Sequence, residues 1–237
     1  MIYKFDEKRN VDFSADEKYP CKAILFKHKF EKDLTESTVY GFVQEPSLLT
    51  IMNSTGTYLY RLASGMYFSV TQPFMLTGGS GVLIVRLKYR GVFQIGGPIE
   101  EIGRLRYIDG CTDSLLIAPP RKGDPCLNHL HFPKNIKQTM HTHPTVRIGI
   151  VTRGQGRCVT PTGEFPLVPG VGWYLPVDGA HCFYTDDETM DVIAWHPDSD
   201  IGPDDEAHPM LNRTYVKGQS ARYIDDIKTT QDTEIAG

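Results

Sequence analysis

Long hydrophobic runs and clusters of basic residues are both missing from this chain. No apolar stretch in the 237-residue sequence approaches the roughly 20 residues that cross a bilayer as a helix. The N-terminal MIYKFDEKRNVDF carries charges where a signal peptide needs an apolar segment, so no secretory signal is expected. The formal net charge is −4 and no Lys/Arg patch stands out, which predicts neither a nucleic-acid partner nor a membrane partner.

Paired cysteines are missing as well. The five cysteines are odd in number, widely scattered and never arranged as C-x-x-C: Cys21, Cys111, Cys126, Cys158 and Cys182. A disulfide framework or a zinc ribbon needs paired spacings that this pattern does not offer. The sequence therefore predicts reduced thiols and a cytoplasmic protein.

Turn-forming and strand-forming residues, in contrast, are abundant. The 22 glycines and 16 prolines separate short segments rich in Val, Ile, Tyr and Phe, such as GVLIVRLKY, VRIGIVTRG and MDVIAWHP. Short strands at regular spacing with turn signals between them are typical of a β-sandwich or barrel. We therefore predict an all-β protein, in which EPSLLTIMNS (residues 45–54) is the one candidate for a short helix.

The histidines divide the chain into two unequal parts. His28 is the only histidine before residue 129, whereas six of the eight histidines lie between residues 104 and 197. Both parts contain a series of strand-like segments. Beyond residue 200 the hydrophobic pattern is lost, which predicts a loose, charged tail at the end of the chain. Any histidine chemistry should therefore lie in the second strand series.

The segment HTHPTVRIGIVTRG, residues 141–154, carries the strongest candidate site. Residues i and i+2 of a strand point to the same face, so His141 and His143 can aim at one point. Downstream, the turn in LPVDGAH places His181 where a neighbouring strand would begin. Three neutral imidazoles can bind a divalent transition metal and leave coordination positions open for water or substrate. We predict that His141, His143 and His181 form such a metal site.

These residues resemble the two motifs of the cupin superfamily, G-x5-H-x-H-x3,4-E-x6-G and G-x5-P-x-G-x2-H-x3-N. The three histidines fall at the expected positions, and so do Gly154, Gly170 and Pro176. The departures are equally specific. Asn135 and Asp178 stand where the motifs have glycine, Thr185 stands where the second has asparagine, and Arg147 occupies the position of the metal-binding glutamate.

The resemblance implies double-stranded β-helix (jelly-roll) barrels in a two-barrel arrangement. Residues 1–98 would form a degenerate barrel without metal ligands, residues 99–200 a cupin barrel with the metal site, and residues 201–237 a C-terminal extension. A three-histidine set without glutamate is similar to that of cupin dioxygenases such as the gentisate and salicylate ring-cleaving enzymes. These enzymes use Fe(II), which is therefore the expected metal, with Mn, Ni, Cu and Zn as alternatives.

Arg147 indicates the charge of the substrate. A guanidinium cannot ligate a cation and is repelled by one unless an anion lies between them. A bidentate contact to a carboxylate or enolate would explain an arginine beside a metal, and Arg147 is therefore our candidate catalytic residue. The alternative is an ordinary ion pair, for example with Glu164 or Asp191.

The resemblance thus favours an Fe(II) dioxygenase that acts with O2 on a small anionic organic substrate. A metal-dependent lyase or isomerase, in which a Tyr or His moves a proton, is the enzymatic alternative. The third hypothesis is a non-catalytic cupin that binds a small ligand. The sequence leaves open whether the protein forms a homodimer.

The other polar and aromatic residues of this region have simpler interpretations. We interpret His129 and His131 as ordinary strand residues, with His131 a weak candidate for lining the pocket. His196 and His208 precede prolines, which favours surface turns. Gln138 is interpreted as a loop residue rather than an amide that orients a metal ligand. The aromatic side chains interpreted as core packing are Tyr107, Trp173 and Tyr174.

Overall fold

The structure, a computed structural model, describes residues 2–6, 10–32 and 36–228. Over this part of the chain it is built almost wholly from β-strands, with 53% strand and 6% helix. The prediction of an all-β protein is confirmed. All five cysteines are free and buried. Among the described residues, no helix has the length and apolar character needed to cross a membrane.

The strands follow one another closely along the chain. The first nine are β1 (Tyr3–Phe5), β2 (Val11–Phe13), β3 (Cys21–Lys32), β4 (Ser37–Glu45), β5 (Ser47–Asn53), β6 (Gly56–Leu62), β7 (Tyr67–Val70), β8 (Phe74–Leu87) and β9 (Gln94–Gly96). The next nine are β10 (Leu105–Arg106), β11 (Thr112–Ile117), β12 (Cys126–Phe132), β13 (Arg147–Gly154), β14 (Gly156–Thr160), β15 (Gly163–Leu167), β16 (Gly172–Leu175), β17 (Cys182–Tyr184) and β18 (Met190–His196).

Between residues 201 and 228 the structure contains only short elements. These are α1 (Pro209–Arg213), β19 (Tyr215–Val216), β20 (Gln219–Ser220) and the 3-10 turns Ala221–Tyr223 and Asp225–Ile227, while a third 3-10 turn, Ile108–Gly110, precedes β11. The last nine residues of the predicted charged tail, 229–237, lie outside the described residues.

Strands β2 to β9 of the first half form one eight-stranded sheet. Its order is β2-β3-β8-β4-β7-β9, and β5 is inserted between β8 and β6. The predicted helix over residues 45–54 is wrong, because β5 pairs with both of these strands. A short apolar run does not distinguish a strand from a buried helix, and here the pairing buries Leu49 and Ile51.

The second half forms two sheets that share a core. The larger has the order β1-β16-β13-β18-β12-β11-β10, and the smaller has the order β15-β14-β17. Residues of both pack in one hydrophobic cluster, which includes Cys158, Trp173, Phe183 and Val192. The N-terminal strand β1 belongs to the larger sheet, where Tyr3 pairs with Tyr174 of β16.

Alternation along the strands of the larger sheet assigns its two faces. In β18, Ile193 and Trp195 pack in a cluster with Tyr40 and Ile84 of the first half, whereas Val192 belongs to the core of the second half. Successive side chains of a strand point to opposite faces, so a single strand contributes to both cores. The candidate site lies on the face of the larger sheet that packs in the core of the second half.

A buried carboxylate interacts with three basic side chains on the face of the larger sheet that packs against the first half. Asp191, 3% exposed, lies 2.7 Å from His129 Nε2, 3.0 Å from His131 Nδ1 and 3.2 Å from Arg153 Nε. Burial raises the pKa of Asp191, but the hydrogen bonds from both histidines and the charge of Arg153 outweigh this effect and lower the pKa overall. The interactions of the Asp191 carboxylate therefore stabilise the fold at neutral pH. This stabilisation is lost as the pH falls through the lowered pKa of Asp191.

We expect Asp191→Ala to reduce the free energy of unfolding by about 3 to 5 kcal/mol, because it leaves buried basic groups without their partner. Asp186→Ala is the matched control, since it removes an ion pair to Arg157 in which the carboxylate is 73% exposed. A change below about 1 kcal/mol is expected there. Urea unfolding of both variants measures the two changes in the free energy of unfolding. Equal losses would contradict the interpretation of Asp191 as the partner that the buried basic side chains require.

Candidate metal centre

Two antiparallel segments at one end of the second-half core position the three histidines. The backbones of His141 and His181 exchange two hydrogen bonds of 2.9 Å. A second bridge pairs Lys137 with Tyr184, so the chain before β13 runs alongside β17. The hydrogen bond from Asp178 N to His143 O, at 2.9 Å, holds the third histidine close to the turn that precedes His181.

The three imidazoles converge on one point. Their ring centroids lie 4.5 Å (His141–His181), 5.0 Å (His141–His143) and 5.1 Å (His143–His181) apart. One ring nitrogen from each can be chosen so that all three lie within 4.8 Å of one another. Among the described residues, no other group of three His, Cys, Asp or Glu ligand atoms gathers in this way.

Backbone carbonyls determine which nitrogen of two of these rings faces the centre. His141 Nδ1 lies 2.8 Å from Thr139 O, and His181 Nδ1 lies 2.8 Å from Gly179 O. A carbonyl only accepts, so each Nδ1 carries the proton and each Nε2 keeps its lone pair. His181 Nε2 is buried and has no hydrogen-bond partner. An unpartnered buried acceptor of this kind is what a metal ligand presents before binding.

Burial keeps two of the three histidine rings neutral. Burial and, as a smaller contribution, the positive charge of Arg147 together lower the pKa of His143 to about 3. Burial also lowers the pKa of His181 to about 4, against the opposing effect of its hydrogen bond to Gly179 O. Both rings are therefore unprotonated at neutral pH, the state in which imidazole binds a cation.

A cavity of about 330 Å³ adjoins the three histidines. One part of its wall is apolar and comes from Leu130, Trp173, Leu175 and Phe183. The polar groups in the wall, besides the three histidines, are Tyr107, Asp113, Asn128, Gln138, Arg147 and His196. A cavity that combines an apolar wall with converging polar side chains has the composition of a small-molecule site.

Arg147 lines this cavity without a carboxylate partner. Its NH1 donates to Thr145 Oγ1 at 2.6 Å, and Thr145 Oγ1 donates in turn to Asp198 Oδ1 at 2.7 Å. Of the two proposed ion-pair partners, Glu164 binds Arg157 and Asp191 binds His129, His131 and Arg153. Within the described residues Arg147 forms no ion pair, and burial lowers its pKa.

Two residues that the sequence analysis assigned to the surface or to a loop lie in the cavity wall. The interpretation of His196 as a surface turn is wrong, since its Nε2 lies 2.8 Å from Cys126 Sγ and burial lowers its pKa to about 4. Gln138 is 2% exposed, accepts from Phe183 N at 3.2 Å and has an Nε2 without a partner. Strand alternation could have found His196, because Val192, Ala194 and His196 share one face of β18.

The remaining interpretations have mixed outcomes. His131 does not line the cavity, because it points to the opposite face of β12 and binds Asp191. Tyr107 and Trp173 belong to the cavity wall and not to core packing alone. Tyr174 packs as expected, stacked on Tyr3 with ring centroids 4.8 Å apart. His208 is exposed and caps α1 by accepting from Met210 N and Leu211 N.

Comparison with known proteins identifies the fold. No family model matches the sequence, and the comparison with curated proteins gives no match. Solved structures do match. A cupin 2 conserved barrel domain protein from Leptotrichia buccalis superposes with a TM-score of 0.56 at 11% identity, over 81% of this chain and 98% of that one.

Two enzymes are also similar in structure. Salicylate 1,2-dioxygenase from Pseudoaminobacter salicylatoxidans, in a mutant form, has a TM-score of 0.57 at 9% identity, over 76% of this chain and 70% of its own. Oxalate decarboxylase from Bacillus subtilis, which has Mn(II) centres, has a TM-score of 0.51 at 12% identity, over 85% and 76%. The chain therefore has the cupin fold. At these identities the likeness extends to the fold and not to the reaction.

Proposed function

We propose that this protein is a metal-dependent enzyme with one metal held by His141, His143 and His181. The observation that carries the proposal is the convergence of three imidazoles, of which His181 presents a buried Nε2 without a partner. The donor set fits a divalent transition metal, since it consists of nitrogen ligands kept neutral by burial. Among the described residues no carboxylate joins this group, so an anionic substrate would supply the negative charge that balances the metal.

We propose further that the metal is Fe(II) and the reaction a dioxygenation of a small anionic substrate. Bound Fe(II) would supply Lewis acidity and the electrons that O2 activation requires. Arg147 would bind the substrate anion by a bidentate contact and orient it against the three histidines. The apolar wall formed by Leu130, Leu175 and Phe183 would exclude water from the bound substrate.

A lyase or isomerase reaction is the second candidate, and one observation favours it. Tyr107 and His196 both line the cavity, and either can transfer a proton. Burial lowers the pKa of His196 to about 4, so the ring is neutral at pH 7 and would act as a weak base. The pKa of Tyr107 is raised by burial, which keeps the phenol protonated as a donor.

We also propose the two-barrel arrangement with divisions at residues 98 and 200. Sheet membership supports it, because β2 to β9 form one sheet and β10 to β18 form two others, with β1 as the exception. The candidate metal ligands all belong to the second barrel. His28, in β3, is exposed and offers no comparable cluster in the described part of the first.

The proposal is tested by elemental analysis of anaerobically purified protein, followed by oxygen-electrode assays on catechols, hydroxybenzoates, diketones and thiols. We expect about one metal per chain and oxygen uptake with an anionic member of the panel. Turnover without oxygen would support the lyase or isomerase instead. A ligand-induced thermal shift without any turnover would identify a binding protein and contradict both enzymatic proposals.

A further inference from the structure

A second charged side chain faces the cavity without a counter-ion. Asp113, in β11, lines the cavity, and both of its carboxylate oxygens accept from Asn128 Nδ2, at 3.1 Å and 2.9 Å. Within the described residues it forms no ion pair. Burial raises its pKa, against the smaller effect of the Asn128 hydrogen bonds. A neutral amide only partly offsets the cost of burying a carboxylate, so Asp113 offers a place for a cation.

Asp113 and Arg147 approach the cavity from separate strands. In the larger sheet, β18 and β12 lie between β13, which begins with Arg147, and β11, which carries Asp113. Three inter-strand spacings correspond to roughly 14 Å between the backbones of β13 and β11. The register offsets them further, because Asp113 is level with Val151, four residues along β13 from Arg147. A ligand that reaches both side chains must therefore have its charges several bonds apart.

Tyr107 lines the same cavity as the two charged side chains. Its pKa is raised by burial, with a smaller lowering effect of Arg147 and a smaller raising effect of Asp113. The cavity thus presents one positive and one negative side chain with an aromatic ring exposed to the field of both. A purely anionic ligand would satisfy Arg147 and leave Asp113 uncompensated.

We propose that the ligand of this cavity is an extended amino carboxylate, whose carboxylate binds Arg147 and whose ammonium group binds Asp113. This inference rests on the proposed function, since it names the substrate class of the same site. Asn128 positions Asp113, because its amide holds both carboxylate oxygens and leaves their remaining lone pairs free for the ammonium protons. The volume of about 330 Å³ accommodates a chain of several carbons.

The test is titration calorimetry of the metal-loaded protein with matched pairs of ligands. The pairs are 4-aminobutyrate and butyrate, 5-aminopentanoate and pentanoate, and 6-aminohexanoate and hexanoate. At pH 7 we expect at least one amino carboxylate to bind about tenfold more tightly than its desamino partner, the gain of one charge-assisted contact. In Asp113→Asn this ratio should fall to about one, while the affinity for the desamino acid stays within about twofold.

Asp187→Asn, which neutralises an exposed carboxylate outside the cavity, is the control and should keep the parent ratio. The inference is overturned if no amino carboxylate binds more tightly than its partner, or if the ratio survives in Asp113→Asn. The metal content of each sample is measured in parallel. Failure of the parent protein to bind metal refutes the proposed function. If the parent protein binds metal but binds both members of every ligand pair equally, only the proposal of an amino carboxylate ligand is refuted.

Discussion

Replacing His181 with alanine is expected to lower the affinity for a divalent metal more than a hundredfold. Loss of a residue that merely orients a ligand costs about 10- to 100-fold in metal affinity, and loss of a ligand itself should cost more. His181 is 1% exposed, its Nε2 has no hydrogen-bond partner, and among the described residues no further His, Cys, Asp or Glu joins the three-histidine group. Competition with a chromophoric chelator gives the affinities of the variant and of the parent.

His208→Ala is the matched control for this measurement. His208 is exposed, interacts with the backbone at the start of α1 and does not line the cavity. Its replacement should leave the metal affinity unchanged. Circular dichroism of both variants checks that the fold persists. Metal retention by His181→Ala equal to that of the parent would remove His181 from the ligand set.

Replacing Arg147 should separate metal binding from substrate binding. Arg147→Lys is expected to reduce substrate affinity and turnover by about tenfold or more, because an ammonium group cannot reproduce the planar fork of a guanidinium. Arg147→Glu should act differently. A carboxylate at this position completes the four-ligand pattern of the cupin motif, so metal retention against a chelator should increase, while repulsion of the substrate anion abolishes activity.

Chelator competition and turnover are therefore both measured on the two Arg147 variants. The expected signature is opposite signs for Arg147→Glu, with tighter metal binding and no activity. Thr145→Val provides a further comparison, since it removes the hydroxyl that accepts from Arg147 NH1 at 2.6 Å but keeps the guanidinium. If both Arg147 variants bind metal and substrate like the parent, the arginine has a purely structural role.

The sequence motif was informative because its physical requirements are local. Gly154 and Gly170 have positive φ values of 62° and 85°, the conformation that glycine adopts at least cost. Asn135 and Asp178, which replace motif glycines, also have positive φ values, 59° and 54°. Asn and Asp are the side chains that best tolerate this left-handed region, so these two departures keep the motif's backbone.

The environment of Arg147 was harder to predict. In an unbroken strand Arg147 would share a face with His141 and His143, but β13 begins only at Arg147, and His141 contributes an isolated bridge. Arg147 nevertheless lines the cavity, because the segment before it turns towards His181. Pro144 interrupts the ladder, and periodicity cannot describe an irregular segment.

The polar groups of the opposite wall could not be assigned from sequence for a different reason. Asn128 faces the cavity, whereas His129 and His131 of the same strand face Asp191. From sequence alone, the H-x-H spacing of the two histidines resembles a ligand pair more than the single asparagine does. Which face of a central strand meets the cavity depends on the neighbouring strands, here β11 and β18. Pairing of this kind is set by the whole sheet and not by the local sequence.

The metal site is tested most directly by anomalous diffraction at the iron edge from crystals of protein loaded anaerobically with Fe(II). One strong peak is expected between the rings of His141, His143 and His181, on the side of the two Nε2 atoms that do not bear the proton. A strong peak instead beside His129, His131 and Asp191, or no peak at the three converging imidazoles, would contradict the three-histidine metal site.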